Sequence, residues 1–344
     1  MRYSVIIPAY NAARDLEACL RALMDQSVPR DQYEVLVVDD GSTDGTAEIA
    51  GRYAVRVIRQ AHAGPASARN HGARQATGTF LLFTDADCEP VREWIAEIVR
   101  PLEADPTVAG SKGAYRTRQR GLIPRLAQVE FEEKYARLRR QPFIDFVDTS
   151  SAAFRADAFW QAGGFDAAFA AASNEDTQLS FSLVAMGWRL MFCERAVVYH
   201  RHSESLARYL QRKWRHGYWR VRVYQRHPHK MTGDSYTPRS MQLQMLSAPL
   251  VLLLAPLPAT RRLAQLSLAV FLLATLPLVR RAAAAGVAVA ASIPAVLFIR
   301  ALTLEAGLMV GALRLRLGRA LQRAAPSSSG PAGEFNGDDG WPRG

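Results

Sequence analysis

The strongest constraint on the fold is a series of short apolar runs, each followed by a stretch of helical periodicity. The runs are Val5-Ile6-Ile7, Val35-Leu36-Val37-Val38, Val55-Arg56-Val57-Ile58 and Phe80-Leu81-Leu82-Phe83. Between them, Leu16, Leu20, Leu23 and Met24 mark one helix, another begins near Thr46, and a third runs from 65 to 75. Strands that are apolar throughout have both faces covered, and strands that alternate with helices are joined by crossovers. This predicts an α/β fold with a mainly parallel, twisted sheet and helices on both faces. Ligands of such sheets sit beyond the carboxyl ends of the strands. Here those ends carry Pro8-Ala9-Tyr10-Asn11, Asp39-Asp40-Gly41-Ser42 and Asp85-Ala86-Asp87.

The last of these is the most demanding. Two carboxylates one residue apart at the end of a buried strand need a counter-charge, because a desolvated charge is unstable alone. A divalent cation carrying a phosphate group is a natural partner, since hard cations prefer carboxylate oxygens. The structural alternative is a polar strand end, stopped by Pro90, or an N-cap before a helix over 91–102. Asp39–Ser42 has an alternative of its own, a turn leading through Thr43 or Asp44 into the next helix.

Further on, 108–113 reads as a strand, 122–140 as a charged helix, and 143–154 as one or two strands holding Asp148-Thr149-Ser150-Ser151. Asn174 or Ser173 is expected to cap a helix that ends at Gly187. Its first turn holds Glu175-Asp176, where carboxylates favour the helix dipole. Two short strands, 189–192 and 196–199, lead into His200-Arg201-His202, and period-2 alternation puts both histidines on one face.

The 344 residues exceed one ordinary domain, and from about 241 the sequence turns aliphatic. A net charge of +11 suits nucleic acid, anionic lipid or phosphorylated substrates alike, so its location matters more than its size. Much of it lies in 206–230, where Arg208, Arg212, Lys213, Arg215, Arg220, Arg222, Arg226 and Lys230 interleave with Tyr209, Trp214, Tyr218, Trp219 and Tyr224. Just ahead of an apolar region this reads as a helix at a membrane interface, with no nucleic-acid partner. The apolar segments are 243–257, 263–279 and 282–313. Two spans plus a re-entrant or interfacial segment would keep the N-terminal domain and 314–323 on the same side, which is preferred to three full spans; a buried helical hairpin is the soluble alternative. The expected organisation is an α/β domain over 1–203, a basic aromatic interfacial helix and linker over 204–240, membrane-associated helices over 241–317 and a disordered tail over 318–344. Cys19, Cys88 and Cys193 are odd in number and widely spaced, giving neither a metal pattern nor a disulfide framework. Met1-Arg2-Tyr3-Ser4 runs straight into a strand without a signal-peptide core. The α/β domain is therefore expected to be cytoplasmic and the chain to sit at the cell membrane.

Six segments in order, SVIIPAYN (4–11), EVLVVDDGSTDGT (34–46), GPASARNHG (64–72), GTFLLFTDADCEP (78–90), AAFRADAFWQAGGFD (152–166) and EDTQLSFSLVAMGW (175–188), resemble the family-2 glycosyltransferases. The resemblance covers about residues 3 to 200 and points to a membrane-anchored member of bacterial type, with the type-A nucleotide-sugar-binding fold. It implies that Pro8, Tyr10 and Asp39 line the nucleotide-base pocket with Asp40 beside them, and that Arg69 reaches the base or diphosphate. Asp85 is implied at the ribose or metal, Asp87 as the main ligand of Mg²⁺ or Mn²⁺, and His200 as a further ligand, with His202 equally placed. Asp176 is implied as general base, with Glu175 as its neighbour. The implied reaction is inverting transfer from a nucleotide-diphosphate sugar to a hydroxyl of a lipid-linked or membrane-proximal glycan acceptor. A polyprenyl phosphate, already an anionic nucleophile, is the alternative acceptor; a non-catalytic membrane-bound nucleotide-sugar-binding scaffold is the alternative function. The Gln-x-x-Arg-Trp motif of processive polysaccharide synthases is broken here as Gln211-Arg212-Lys213-Trp214-Arg215, which argues against polymerisation.

Overall fold

The computed structural model describes residues 1–324 other than 170–172, 232 and 236, with backbone alone over 315–324. Its centre is an eight-stranded sheet of β1 (Tyr3–Ala9), β2 (Tyr33–Asp39), β3 (Arg56–Arg59), β4 (Phe80–Thr84), β5 (Cys88–Pro90), β6 (Val108–Arg116), β7 (Ser151–Arg155) and β8 (Arg189–His200). The spatial order is β3-β2-β1-β4-β7-β6-β8-β5. Pairing is parallel from β3 through β4 and between β6 and β8, and antiparallel for β4–β7, β6–β7 and β5–β8. The sheet is therefore mixed, with a parallel half that matches the apolar runs. Every residue of β2 is buried, as a strand covered on both faces requires.

The helices of this half are α1 (Leu16–Met24), α2 (Thr46–Ala50), α3 (Pro65–Gln75), α4 (Trp94–Ala104), α5 (Leu122–Leu138), α6 (Ala156–Gln161) and α7 (Glu175–Ala185). Three local expectations change. Pro90 does not end the apolar run but sits in the edge strand β5, where its missing N–H breaks no inner ladder. The expected strand over 143–154 begins only at Ser151; Asp148 and Ser150 lie in the preceding loop, whose side chains point to other tasks described below. The two strands expected over 189–199 are one, because the polar interruption at Cys193–Arg195 falls where the β6–β8 register shifts.

The C-terminal third is helical: α8 (Leu206–Arg226), α9 (Arg239–Leu254), α10 (Arg261–Ala285) and α11 (Val287–Ala324). These helices and α5 share an apolar core of their own, built from Leu126, Val129, Tyr209, Ala248, Phe271, Leu278 and Ile293 among others. Outside that core the apolar surface stays bare. Leu246 is 67% exposed, Leu253 68% and Leu273 65%. Among the described residues, two helical stretches are long and apolar enough to cross a membrane, Pro258–Ala285 and Val287–Arg314. α9 has only 16 residues. The last helix continues past residue 317, where the tail was expected to begin, and the rest of that tail lies outside the described residues.

Contact between α8 and α11 is unusually close. A Cβ on Gly217 would lie 2.1 Å from the Leu304 carbonyl oxygen, and one on Gly307 2.3 Å from that of Trp214. Gly311 meets Tyr218 in the same way. Only glycine lets the two backbones approach this far.

Candidate active site

A cleft of about 720 Å³ opens at the carboxyl ends of β1, β2 and β4. At its β1 side, Pro8, Tyr10 and Asn11 line the wall. The Tyr10 ring is half exposed and stacks on His62, with centroids 4.1 Å apart. Asp40 is buried beneath them. Its carboxylate accepts the amide N–H groups of Ala63 and Gly64, both at 2.9 Å, and the side-chain amide of Gln60 at 2.7 Å. Asp40 thus builds the 60–64 loop and positions His62, whose Nδ1 lies 3.0 Å from it. Asp39, expected in the base pocket, is not among the residues that line the cleft. It is buried, accepting from the Ser42 amide at 2.9 Å with Arg59 at 3.9 Å.

The next group is held by Arg69, which is 2% exposed at the buried face of α3. Its Nη2 donates to Asp85 Oδ1 at 2.7 Å and its Nη1 to Glu175 Oε1 at 2.9 Å. Ser150 donates to the other oxygen of Asp85 at 2.5 Å, and the Ser173 amide to the other oxygen of Glu175 at 2.8 Å. Arg69 therefore pins the end of β4 to the start of α7. Burial works against the Asp85 anion, but Arg69 and Ser150 outweigh it and hold the carboxyl below its usual range. Glu175 is likewise committed to the scaffold. Asn174 does not cap α7 with its side chain; it donates instead to the His216 carbonyl on α8, at 3.1 Å.

Asp87 is different. Burial pushes its carboxyl above the usual range; His200 opposes that only when protonated, while the negative charge of Asp85 adds to it. His200 Nε2 lies 3.7 Å from Asp87 Oδ2, too far for a hydrogen bond but suited to two groups facing one ion. The pair comes together because Cys88 of β5 sits opposite His200 of β8. A chain of contacts fixes the histidine tautomer. The Gln128 amide donates to the Tyr115 carbonyl at 3.0 Å, which turns its oxygen toward His202 Nε2, 3.1 Å away. His202 Nε2 then carries the proton, and His202 Nδ1 accepts from His200 Nδ1, 3.1 Å away. His200 Nε2 is left with a lone pair aimed at Asp87. A carboxylate and an oriented neutral imidazole fit a hard or borderline divalent ion such as Mg²⁺ or Mn²⁺. Asp87, Cys88 and His200 offer donor atoms within 4.8 Å of one another. Burial pushes the Cys88 thiol well up, however, so its thiolate is not available as a ligand. His202 stands behind His200 as its support rather than beside it as a ligand.

Asp176 faces the same cleft from the first turn of α7. Burial, then the negative charges of Glu175 and Asp148, push its carboxyl up to about 8. Among the described residues it makes no ion pair, in contrast to Glu175. Asp148, on the loop before β7, takes Lys112 and Tyr115 on one oxygen and has Lys134 3.8 Å from the other. The remaining wall is shared by α5, through Ala127, Glu130, Phe131 and Lys134, and α8, through Arg208, Gln211, Arg212, Lys213, Arg215 and His216. From sequence α8 read as an interfacial element apart from the α/β domain. Its cationic face instead closes the cleft, and the broken Gln-x-x-Arg-Trp motif lies on that face.

Sequence reasoning missed Gln128, Asp148 and this cationic wall. Asp148 had a signal, a polar run inside an expected strand. The wall's signal was absorbed by the aromatics beside it.

Residues 4–163 match the model of the family described as glycosyl transferase family 2. Over 98 residues, 27% of this chain and 32% of the relative, the sequence is 44% identical to the glycosyltransferase AglE of Haloferax volcanii. Over 237 residues, 66% of this chain and 48% of the relative, it is 28% identical to the pre-mycofactocin glycosyltransferase of Mycobacterium tuberculosis. The chain thus spans between about a quarter and a half of the length of the first curated relatives it matches. Among solved structures, it is similar to a mannosyltransferase of Pyrobaculum calidifontis in complex with GDP-Man and Mn²⁺, at a TM-score of 0.57 and 25% identity. That likeness covers 92% of this chain and 88% of the other, so it takes in apolar helices as well as the sheet. From β1 through α6 the motifs, the sheet and the family model coincide, and residues 4–163 of the chain are similar to glycosyl transferase family 2.

Proposed function

We propose that the chain is an inverting, divalent-metal-dependent glycosyltransferase that moves a sugar from a nucleotide-diphosphate donor to a hydroxyl of a membrane-proximal acceptor. The observation that carries this is Asp176, a carboxylate that makes no ion pair among the described residues, raised toward neutrality and facing the same cleft as the Asp87–His200 pair. Likeness to a mannosyltransferase in complex with GDP-Man and Mn²⁺ supports the donor class and the metal.

In this reading the base stacks on Tyr10 and His62, and Asp40 holds the loop that carries His62. Arg208, Arg212 and Arg215 of α8 face the diphosphate. Asp87 and His200 would hold the metal, which neutralises charge on the departing diphosphate when bound. Asp176 takes the proton of the acceptor hydroxyl as that oxygen attacks the anomeric carbon on the face opposite the leaving group. A single displacement of this kind inverts the configuration. Arg69, Asp85 and Glu175 act as positioning residues that keep the two halves of the site in register.

The exposed apolar surfaces of α9 to α11 support anchoring at the cell membrane with the α/β domain in the cytoplasm. Only 28% and 39% of the two long apolar windows is buried, unlike the core helices of a soluble protein. The test is a donor panel with the full-length chain in detergent, reading nucleotide release with Mn²⁺ or Mg²⁺. Release that depends on metal and is lost in Asp87→Ala is expected. No release and no binding across the panel would refute the reading.

A further inference from the structure

Helix α10 carries an arginine pair at each end, Arg261-Arg262 and Arg280-Arg281. Arg262 and Arg280 are about 18 residues apart, or about 27 Å of helix, close to the roughly 30 Å of a bilayer's hydrocarbon core. Between them Leu263, Leu266 and Leu273 are exposed, and so are Arg261, Arg262 and Arg280 at the ends. Each pair thus suits a headgroup layer while the leucines suit the space between.

The Arg280-Arg281 end is the one fixed to the α/β domain. Arg281 Nε donates to Glu133 of α5 at 2.8 Å. A Cβ on Gly286, at the turn into α11, would lie 3.1 Å from a guanidinium nitrogen of Arg125. Ile123 packs on the same apolar core as Val279 and Ala285. The segment that joins β6 to α5, residues 116–122, is therefore held at the level of one headgroup layer.

Its side chains match that level. Arg116, Arg118 and Arg120 are exposed, and Leu122 is 43% exposed. Arg118 is engaged, with Glu89 at 2.5 Å and the Tyr199 ring 4.0 Å away. Arg116 and Arg120 make no ion pair among the described residues, and the chain has no carboxylate from 106 to 129. An exposed leucine among cations suits an anionic lipid surface, whereas a nucleic acid would match the cations alone.

We propose that the β6–α5 segment is a second membrane contact, in which Arg116 and Arg120 bind anionic lipid headgroups and Leu122 enters the edge of the acyl region. Its consequence is orientation. The Gln119 side chain donates to the His202 carbonyl at 3.0 Å and accepts the His202 amide at 2.7 Å. The segment is thus tied to the strand end that carries His200, and the contact sets the cleft at a fixed height over the bilayer. This rests on the membrane anchoring of the apolar helices and on none of the catalytic assignments.

The experiment uses the full-length chain in vesicles, with Leu122→Cys carrying an environment-sensitive fluorophore; Cys19, Cys88 and Cys193 are buried. The vesicles are phosphatidylcholine alone or with about one-third phosphatidylglycerol, and both contain a spin-labelled quencher lipid. Flotation reads anchoring, and quenching reads contact of the segment with lipid. The chain should float with both vesicles and be quenched at least about twofold more strongly with phosphatidylglycerol. Each cation near an anionic surface is worth about a fivefold preference, so Arg116→Gln/Arg120→Gln should return quenching to the neutral-lipid level. Salt at about 0.5 M should do the same. The same label on Met186→Cys, an exposed site just before the other end of β8, should stay unquenched. Flotation with equal quenching of the Leu122 label in both vesicles, or with none, would overturn the proposal and leave the anchoring intact. So would an unchanged double variant or equal quenching at Met186. A fluorescence shift on adding duplex DNA in neutral vesicles would assign the cations to nucleic acid instead. No flotation with either vesicle would overturn the anchoring and the segment's contact together.

Discussion

The raised carboxyl of Asp176 makes a quantitative prediction about pH. An aspartate at its ordinary value of 3.8 is fully ionised from pH 6 upward and would give a flat profile there. At about 8, only about a tenth of the Asp176 carboxyls are ionised at pH 7, and about nine-tenths at pH 9. A step that needs the anion as base should therefore speed up about tenfold between pH 7 and pH 9, and climb about one log unit per pH unit below that range. The direction follows from the cause. Burial disfavours the anion, and Glu175 and Asp148 add negative charge around it. The assay is the initial rate of acceptor-dependent nucleotide release at saturating donor and metal, from pH 6 to 9.5. Asp176→Asn should lower the plateau by about 10²- to 10⁴-fold and remove the slope. A flat wild-type profile, near-full transfer by Asp176→Asn, or the same slope in that variant would refute the assignment.

Three other expectations follow from contacts described above. Arg69→Met leaves Asp85 and Glu175 buried without their cation and should cost about 3–5 kcal/mol, read as a fall in denaturant midpoint; a loss under about 1 kcal/mol would remove the pin from the account. His202→Phe deletes the ring that orients His200, and should weaken Mn²⁺ binding by about 10- to 100-fold in an electron paramagnetic resonance titration, with unchanged affinity counting against the tautomer chain. Gly217→Leu drives a side chain into the Leu304 carbonyl, only 2.1 Å from the ideal Cβ, and should destabilise the helical layer by about 3 kcal/mol or more. A variant melting like the wild type would show that α8 and α11 can part freely.

The parallel half of the sheet was legible because Val5–Ile7, Val35–Val38 and Phe80–Phe83 must be covered on both faces, and few folds do that. The helix Pro65–Gln75 was legible residue for residue, between a glycine and a shift to extended backbone at Ala76. The antiparallel strand β7 was harder, since Asp148 and Ser150 serve Lys112 and Asp85, partners distant in sequence. Asp85 and Asp87 look alike in the chain, yet one is neutralised by Arg69 and the other faces His200. That division depends on which strand lies next to which, and spacing does not carry it. Asp39 and Asp40 pose the same problem: adjacent in sequence, only Asp40 lines the cleft. The basic helix was read for its membrane-like composition, but composition does not say which face of a helix turns inward.

The glycine contact between α8 and α11 bears on how this protein can be taken apart. A fragment trimmed to the α/β domain for solubility loses the whole of α8 and with it the cationic side of the cleft. A fragment that keeps α8 but drops the apolar helices loses the abutment against which α8 rests, since Gly217 has Leu304 as its neighbour. The apolar helices are thus part of the tool as well as its mounting. Detergent or lipid that shifts α11 should be felt as a change in apparent donor affinity.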